Sequence, residues 1–551
     1  ARAVCGPNSL DQKNLVSYPN IIIDMHTHLF NARYVPLYKV FRSRKLPRVI
    51  AGPLAFFILA LTQKSDLNKA VDFDIAKASG DEIEDRLDKI ANVTVEQISI
   101  LLAEINSSLV RKKKNVERNN ILEAFENTDL HKALVEIENE IKDEEAAREL
   151  RLEHLSDNEM AMFDFKKGIS LAESKRLFGA IWWLVKKFLK KAKEYIENFV
   201  DFLDFLITMM RSEKSLYRRL NRYYKESKIP NYLLVHHMMD MAKPFSGKAK
   251  FKFYPKQLTR MTNLERFSQG NAIGFSAFDP IRFCRRNRGS ADIIAHMKIA
   301  LSHGKVGFKF YPPLGYKAAG NSGRKLETVI DIFLDECIEN QIPVFTHCTP
   351  EGFEVIPNYS GANAHPNFWR EALTKNAKRN NLLLCFGHAG GGERKINNKT
   401  VRGWLSDDDE WKDPNNYARH VADLCREFPN VYCEISYMTE IIHDNDEKNL
   451  FKERLIKEYS QDASSNPPFC LKDKIMYGSD WHMPEMVNDI DEFLEDIVEI
   501  YSDATLKPHA KKFFAINAVK FLNLRNFARR AAKQLNKTCS KELLRKVDLA
   551  V

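Results

Sequence analysis

From residue 230 onward the chain repeats one pattern: a short apolar run rich in β-branched and aromatic residues, then a longer charged stretch, then another run. The runs fall at 232–239, 271–278, 305–311, 342–347, 382–388, 431–436 and 474–480. Their starts lie roughly 35 to 50 residues apart, room for a loop, a helix and a return, as parallel strands require. An eighth run, 21–28, stands far upstream. Eight such units predict an α/β fold, a distorted (β/α)8 TIM barrel whose functional residues gather at the carboxyl ends of its strands. An open doubly wound sheet is the alternative architecture.

The stretch between the first two runs is far longer than one connecting helix needs, and it is helical in pattern. Ile83, Leu87 and Ile90, then Ile98, Leu102, Ile105 and Leu109, follow three-four spacing. A second region, from Leu177 through Trp182, Trp183, Phe188, Ile196 and Phe199 to Met210, is richer in aromatics. Both read as amphipathic helices, so a large α-helical insertion is expected between strands one and two. The chain then divides into 1–45, the start of the barrel with its first strand; 46–229, the insertion; 230–525, the rest of the barrel; and 526–551, a basic C-terminal helix. The insertion reads first as helices with a core of their own. A lid, a dimer surface or a membrane-surface element are the functional alternatives, the last prompted by Trp182, Trp183, Lys186, Lys187, Lys190, Lys191 and Lys193.

Composition narrows the class. With 551 residues, 44% of them hydrophobic, the chain can bury a large core. The 84 basic residues exceed the 74 acidic ones to give +10, but the charges are interspersed, as on a solvated surface, and no nucleic-acid partner is expected. Nine cysteines occur singly with no Cys-x-x-Cys pair, and Cys348, Cys385 and Cys433 sit in or beside apolar runs as small hydrophobes. That usage favours a reducing compartment, and with no secretory signal read, a cytoplasmic location is expected. The apolar run 50–61, interrupted by Gly52-Pro53, is shorter than the roughly 20 residues a membrane span needs.

The chemistry stands at the ends of the runs. His26 and His28 close the run Ile21-Ile22-Ile23-Asp24-Met25 one residue apart, and strand periodicity of two sends both imidazoles to one side. That is half a metal site. Lys309, His347, His388 and Asp480 end or nearly end four later runs. Neutral imidazole and carboxylate suit zinc, and also iron, manganese or nickel. His236, His237 and Asp240 after the second run and Asp279-Pro280 with Arg282 after the third are candidate pocket residues, Arg282 as a carboxylate partner. Tyr311, Tyr316, Trp481 and His482 would shape an aromatic-rich pocket. The Gly-rich turn His388-Ala389-Gly390-Gly391-Gly392-Glu393 lets backbone approach the site but lacks phosphate-loop spacing.

This ordered set resembles the amidohydrolase superfamily of metal-dependent hydrolases: His-x-His on strand one, histidines on strands five and six, an Asp on strand eight. The resemblance covers about 15–35 and 230–525. Within the superfamily, the segments beginning Gly307-Phe308-Lys309-Phe310-Tyr311-Pro312-Pro313, Gly478-Ser479-Asp480-Trp481 and the late Asn517-Ala518 are most similar to the branch that includes aminocarboxymuconate-semialdehyde decarboxylase.

The resemblance implies a divalent metal, zinc first, held by His26, His28, His347 and Asp480, activating water near neutral pH. Asp480 would take the attacking water's proton and pass it to the leaving group, and His388 would orient the water or polarise the substrate. Lys309, with Tyr311, Arg282 and Trp481, would contact the substrate. One ion is the preferred count; the two-ion alternative has a carboxylated Lys309 as bridge, with His347 and His388 on the second ion. The expected function is hydrolysis of a C–N or C–O bond in a small anionic molecule. The alternatives are non-oxidative decarboxylation at the same site, or a binding or scaffolding protein with a vestigial barrel. The expected partner is a small-molecule substrate, with a homodimer and membrane-surface contact through the insertion as lesser expectations.

Overall fold

The computed structural model describes residues 19–43, 55, 209, 211–227, 229–247, 256–284, 289–357, 359–396, 399–442, 444–481 and 490–551. Apart from Ala55 and Met209, the readings made for the insertion up to residue 210 lie outside these residues, as does His482.

Each predicted run carries a strand: β1 Ile22–Thr27, β2 Tyr232–His237, β3 Ala272–Ala277, β4 Phe308–Phe310, β5 Val344–His347 and β6 Leu384–Gly387. After a small hairpin, β7 Arg394–Ile396 and β8 Lys399–Val401, come β9 Val431–Ile435 and β10 Ile475–Tyr477. The parallel order is β1-β2-β3-β4-β5-β6-β9-β10, while the hairpin pairs antiparallel by itself. A parallel bridge between Thr27 and Trp481 joins the last strand's end to the first, so the sheet is a closed barrel rather than an open one.

Alternation along the strands sorts the core into two shells. Ile23, Met25, Leu233, Val235, Ile273, Phe275, Phe345, Cys385, Tyr432 and Met476 form the inner one. Ile22, Leu234, Phe308, Phe310, Val344, Leu384, Phe386, Cys433 and Tyr477 belong to the outer one, beneath the helices. Phe275 and Phe345 pack inside the ring, and glycines help make room for them. A Cβ at Gly307 would sit 2.1 Å from Pro343 O and 2.8 Å from the Phe275 ring, and one at Gly387 2.6 Å from the Phe345 ring. Close packing of this kind is felt at the level of single methylene groups. Cys348, Cys385 and Cys433 are buried free thiols, as their surroundings in the sequence suggested.

The helix Glu213–Glu226, at the end of the stretch assigned to the insertion, starts at an N-cap where Ser212 Oγ accepts from the Ser215 amide. Leu216, Leu220 and Tyr224 bury its apolar face against the outer shell. The basic tail is two helices, not one, Leu524–Gln534 and Lys537–Ala550. Their Phe527, Ala531, Leu543 and Val547 join the inner shell. Arg530 donates to Val306 O (3.2 Å) and Lys546 to Gly270 O (2.9 Å), both just before strands, so the pair closes the amino-terminal end of the barrel. No described helix is long and apolar enough to cross a membrane.

Candidate metal centre

Strict alternation would carry Ile22, Asp24, His26 and His28 on one face. The structure departs from this within β1. Asp24 pairs with Leu234 and Thr27 with His236, three steps on β1 against two on β2. That is a β-bulge, which bends a strand and re-aims its side chains. Ile22 faces the outer shell and Asp24 bonds Tyr224 of the outer helix, whereas Met25 belongs to the inner shell. His26, beyond the bulge, sits against the inner Phe345 ring (centroids 4.9 Å apart) and 5.1 Å from His28.

Hydrogen bonding fixes which nitrogen of each imidazole is bare. His28 Nδ1 lies 3.2 Å from His237 O, and a carbonyl accepts, so Nδ1 carries the proton and Nε2 a lone pair. His26 Nδ1 lies 2.7 Å from Glu434 Oε1. That oxygen already accepts from the His388 amide at 2.8 Å, so the proton again belongs to Nδ1. Both unprotonated Nε2 atoms face one carboxylate oxygen, Asp480 Oδ1, at 3.3 Å from His26 and 3.2 Å from His28. Oδ1 is buried and has no partner of hydrogen-bonding geometry. Acceptors converge like this around a cation. His26, His388 and Asp480 each offer a ligand atom within 4.8 Å of the others.

The positive group already there is Lys309, whose Nζ lies 3.1 Å from His26 Nε2 and 4.2 Å from the Phe345 ring centre. Burial pulls its ammonium down to about 7, against the pull of Asp480 and Glu434. Four of the imidazoles are held neutral. Burial first, and then the positive Lys309, keeps His26 and His237 well below the ordinary histidine value and His347 down to about 3. His388 is lowered too, by burial and then by His347. Neutral imidazoles with oriented lone pairs and one carboxylate are the donor set that zinc and related divalent ions take, so the residues fit such an ion.

His347 is turned by its neighbours. Its Nε2 lies 2.6 Å from Glu351 O, which makes that nitrogen the donor and leaves Nδ1 bare, 3.1 Å from His388 Nε2. Tyr311 stacks on the His347 ring at 4.5 Å, and its hydroxyl accepts from the Phe353 amide. The backbone is strained at the same rim. His388 (φ 61°), Ala389 (45°), Tyr437 (52°) and Asp480 (56°) all adopt left-handed conformations after strands six, seven and eight of the ring. Such residues cost about 1–3 kcal/mol each and concentrate at functional sites.

The other candidates divide. His237 is inward, its Nε2 bonded to Met25 O (2.8 Å) and its ring 4.9 Å from that of His26. His236 points outward to Glu265, which also pairs with Lys305, and serves packing. Arg282 is paired with Asp240, Nε to Oδ2 at 2.8 Å. Asp240, Asp279, Lys309, Tyr311 and Tyr316 line a buried void of about 10 Å³, room for about one water. Trp481 is buried, and its carbonyl accepts from the His28 amide, so it closes the ring. Sequence reading missed Glu434, a fully buried carboxylate on β9, and Ser436 two residues on. The signal was the alternation Tyr432, Glu434, Ser436, one face of a run taken as apolar.

No protein-family model matches the sequence, and no curated protein matches it. Among solved structures, the chain is similar to a probable 2-pyrone-4,6-dicarboxylic acid hydrolase from Acinetobacter baumannii with citric acid bound. Identity is 11%, covering 56% of this chain and 88% of that one, at a TM-score of 0.35. It is also similar to an amidohydrolase from Burkholderia multivorans in two crystal forms, one with bound zinc and one with bound HEPES. These show 12% identity, the same coverage of 56% and 88%, and TM-scores of 0.33 and 0.34. A likeness this loose transfers no residue, metal or substrate.

Proposed function

We propose that the chain is a metal-dependent hydrolase of the amidohydrolase type, acting on a C–N or C–O bond of a small anionic molecule. The observation that supports it most is the meeting of the His26 and His28 lone pairs with Asp480 Oδ1 in one buried place at the barrel rim. In this reading His26, His28 and Asp480 hold one divalent ion, zinc first, with His347 offering Nδ1 as a further ligand. A bound ion there polarises the scissile group and lowers the pKa of water.

The chain's own groups do the rest. Asp480 takes a proton from the attacking water and returns it to the leaving atom. His388 orients the reacting oxygen. Lys309, rather than the already paired Arg282, meets the anionic part of the substrate. The Gly478-Ser479-Asp480-Trp481 segment keeps the aminocarboxymuconate-semialdehyde decarboxylase branch as the finer assignment.

The test is metal content of the full chain purified without chelator, followed by turnover of small amides, lactones and esters in 18O-labelled water. One equivalent of zinc or a related ion, an unmodified Lys309 and label in the product are expected. A chain that takes up no divalent ion would overturn the reading, and carbon dioxide release without label would replace hydrolysis by decarboxylation.

A further inference from the structure

Glu434 lies at the centre of a hydrogen-bond array that no ligand reading of the site includes. Its Oε1 accepts from three donors: His26 Nδ1 at 2.7 Å, the His388 amide at 2.8 Å and Ser436 Oγ at 3.0 Å. Ser436 Oγ in turn lies 3.0 Å from His388 Nδ1. With the serine proton given to Glu434, His388 Nδ1–H donates to Ser436, and His388 Nε2 offers a lone pair beside that of His347 Nδ1, 3.1 Å away. One acceptor thereby exposes Nε2 on both histidines, directly on His26 and through Ser436 on His388. His26 stands on β1 and His388 just past β6, strands that are not neighbours in the ring.

The other oxygen has a seat of its own. Glu434 Oε2 is buried without a partner, and a Cβ at Gly478 would fall 2.3 Å from it. Gly478 is thus bare because the carboxylate rests against it, two residues before Asp480. Glu434 touches the strand of His26, the turn of His388 and the strand that ends in Asp480.

We propose that Glu434 is the positioning residue of this centre, a buried acceptor that sets the tautomer and ring orientation of His26 and His388 so that His26 presents Nε2 to the divalent ion and His388 presents Nε2 to the reacting oxygen beside it. The inference rests on the metal reading above. Partners that orient metal-bound histidines in this way change metal affinity about 10- to 100-fold when removed.

Cobalt(II) titration of the full chain against a competing chelator, with the visible absorption recorded, tests it. Glu434→Gln keeps the volume and is expected to weaken Co(II) binding about 10-fold or more and to shift the visible band. Ser436→Ala should weaken binding less, because it cuts the His388 arm alone, and Gly478→Ala should mimic Glu434→Gln by displacing the carboxylate. Circular dichroism confirms that each variant is folded. Wild-type affinity and an unchanged band in Glu434→Gln, or in both Ser436→Ala and Gly478→Ala, would overturn the proposal. A wild-type chain that binds no Co(II) would instead overturn the metal reading on which it rests.

Discussion

Asp480 occupies the left-handed region at φ 56°, where Asp and Asn are among the non-glycine residues most at ease. Asp480→Asn therefore keeps backbone and volume while removing the charge and the proton-accepting oxygen. Turnover is expected to fall by about 10²- to 10⁴-fold, with the thermal midpoint of the ion-free protein near that of the wild type. Intact turnover in that variant would rule Asp480 out as the proton-transfer group. Asp480, His347 and His388 are legible in the sequence because each ends or follows an apolar run, where a barrel exposes its chemistry. Glu434 is not legible in that way. It sits inside such a run, and its partners, 408 residues away at His26 and 46 away at His388, are neighbours only once the ring has closed.

At the scale of elements, all eight strands follow from hydrophobic runs and spacing, since parallel strands buried on both faces need continuous apolar stretches. The bulge in β1 does not follow, because one extra residue changes the register without changing the composition. The tail misleads for another reason: its charged residues dominate the sequence, while the apolar face that plugs the barrel is a few residues at helical spacing. Phe527, 2% exposed in the inner shell, measures that plug. Phe527→Ala should cost about 3–5 kcal/mol in equilibrium urea unfolding, and a loss below about 1 kcal/mol would detach the tail from the core. Lys546 in the last helix supplies a pH test. Burial pulls its amine down to about 7, below its ordinary value of 10.5. Between those pH values the unfolded chain binds the extra proton, so this group makes stability rise as pH rises from 7 toward 10. Below about 7 both states are protonated and its contribution is flat. Lys546→Met should show a shallower rise over that window in thermal melts, and an identical slope would mean that Lys546 stays charged in the fold.

Across the whole molecule, the ring is closed where its chemistry lies. β1 and β10 meet through the Thr27–Trp481 bridge, the Asp480 amide on His26 O at 2.7 Å, and Asp24, which accepts from the Ser479 amide (2.9 Å) and hydroxyl (2.7 Å). His26 and His28 stand on one side of this seam and Asp480 on the other. A divalent ion shared among them would bridge the seam a second time, so its binding energy becomes stability of the closed barrel. At 100 times the dissociation constant this linkage is worth about 2.7 kcal/mol. Chelation should therefore lower the wild-type thermal midpoint, and restoring zinc should recover it. Asp480→Asn should lose most of that response. Asp24→Ala removes the hydrogen-bonded clasp but none of the ligands, so it should melt lower at every metal concentration yet keep most of the zinc-dependent gain. Equal loss of the zinc response in both variants would place Asp24 in the metal site itself. No response in the wild type would mean that the seam is held by its hydrogen bonds alone.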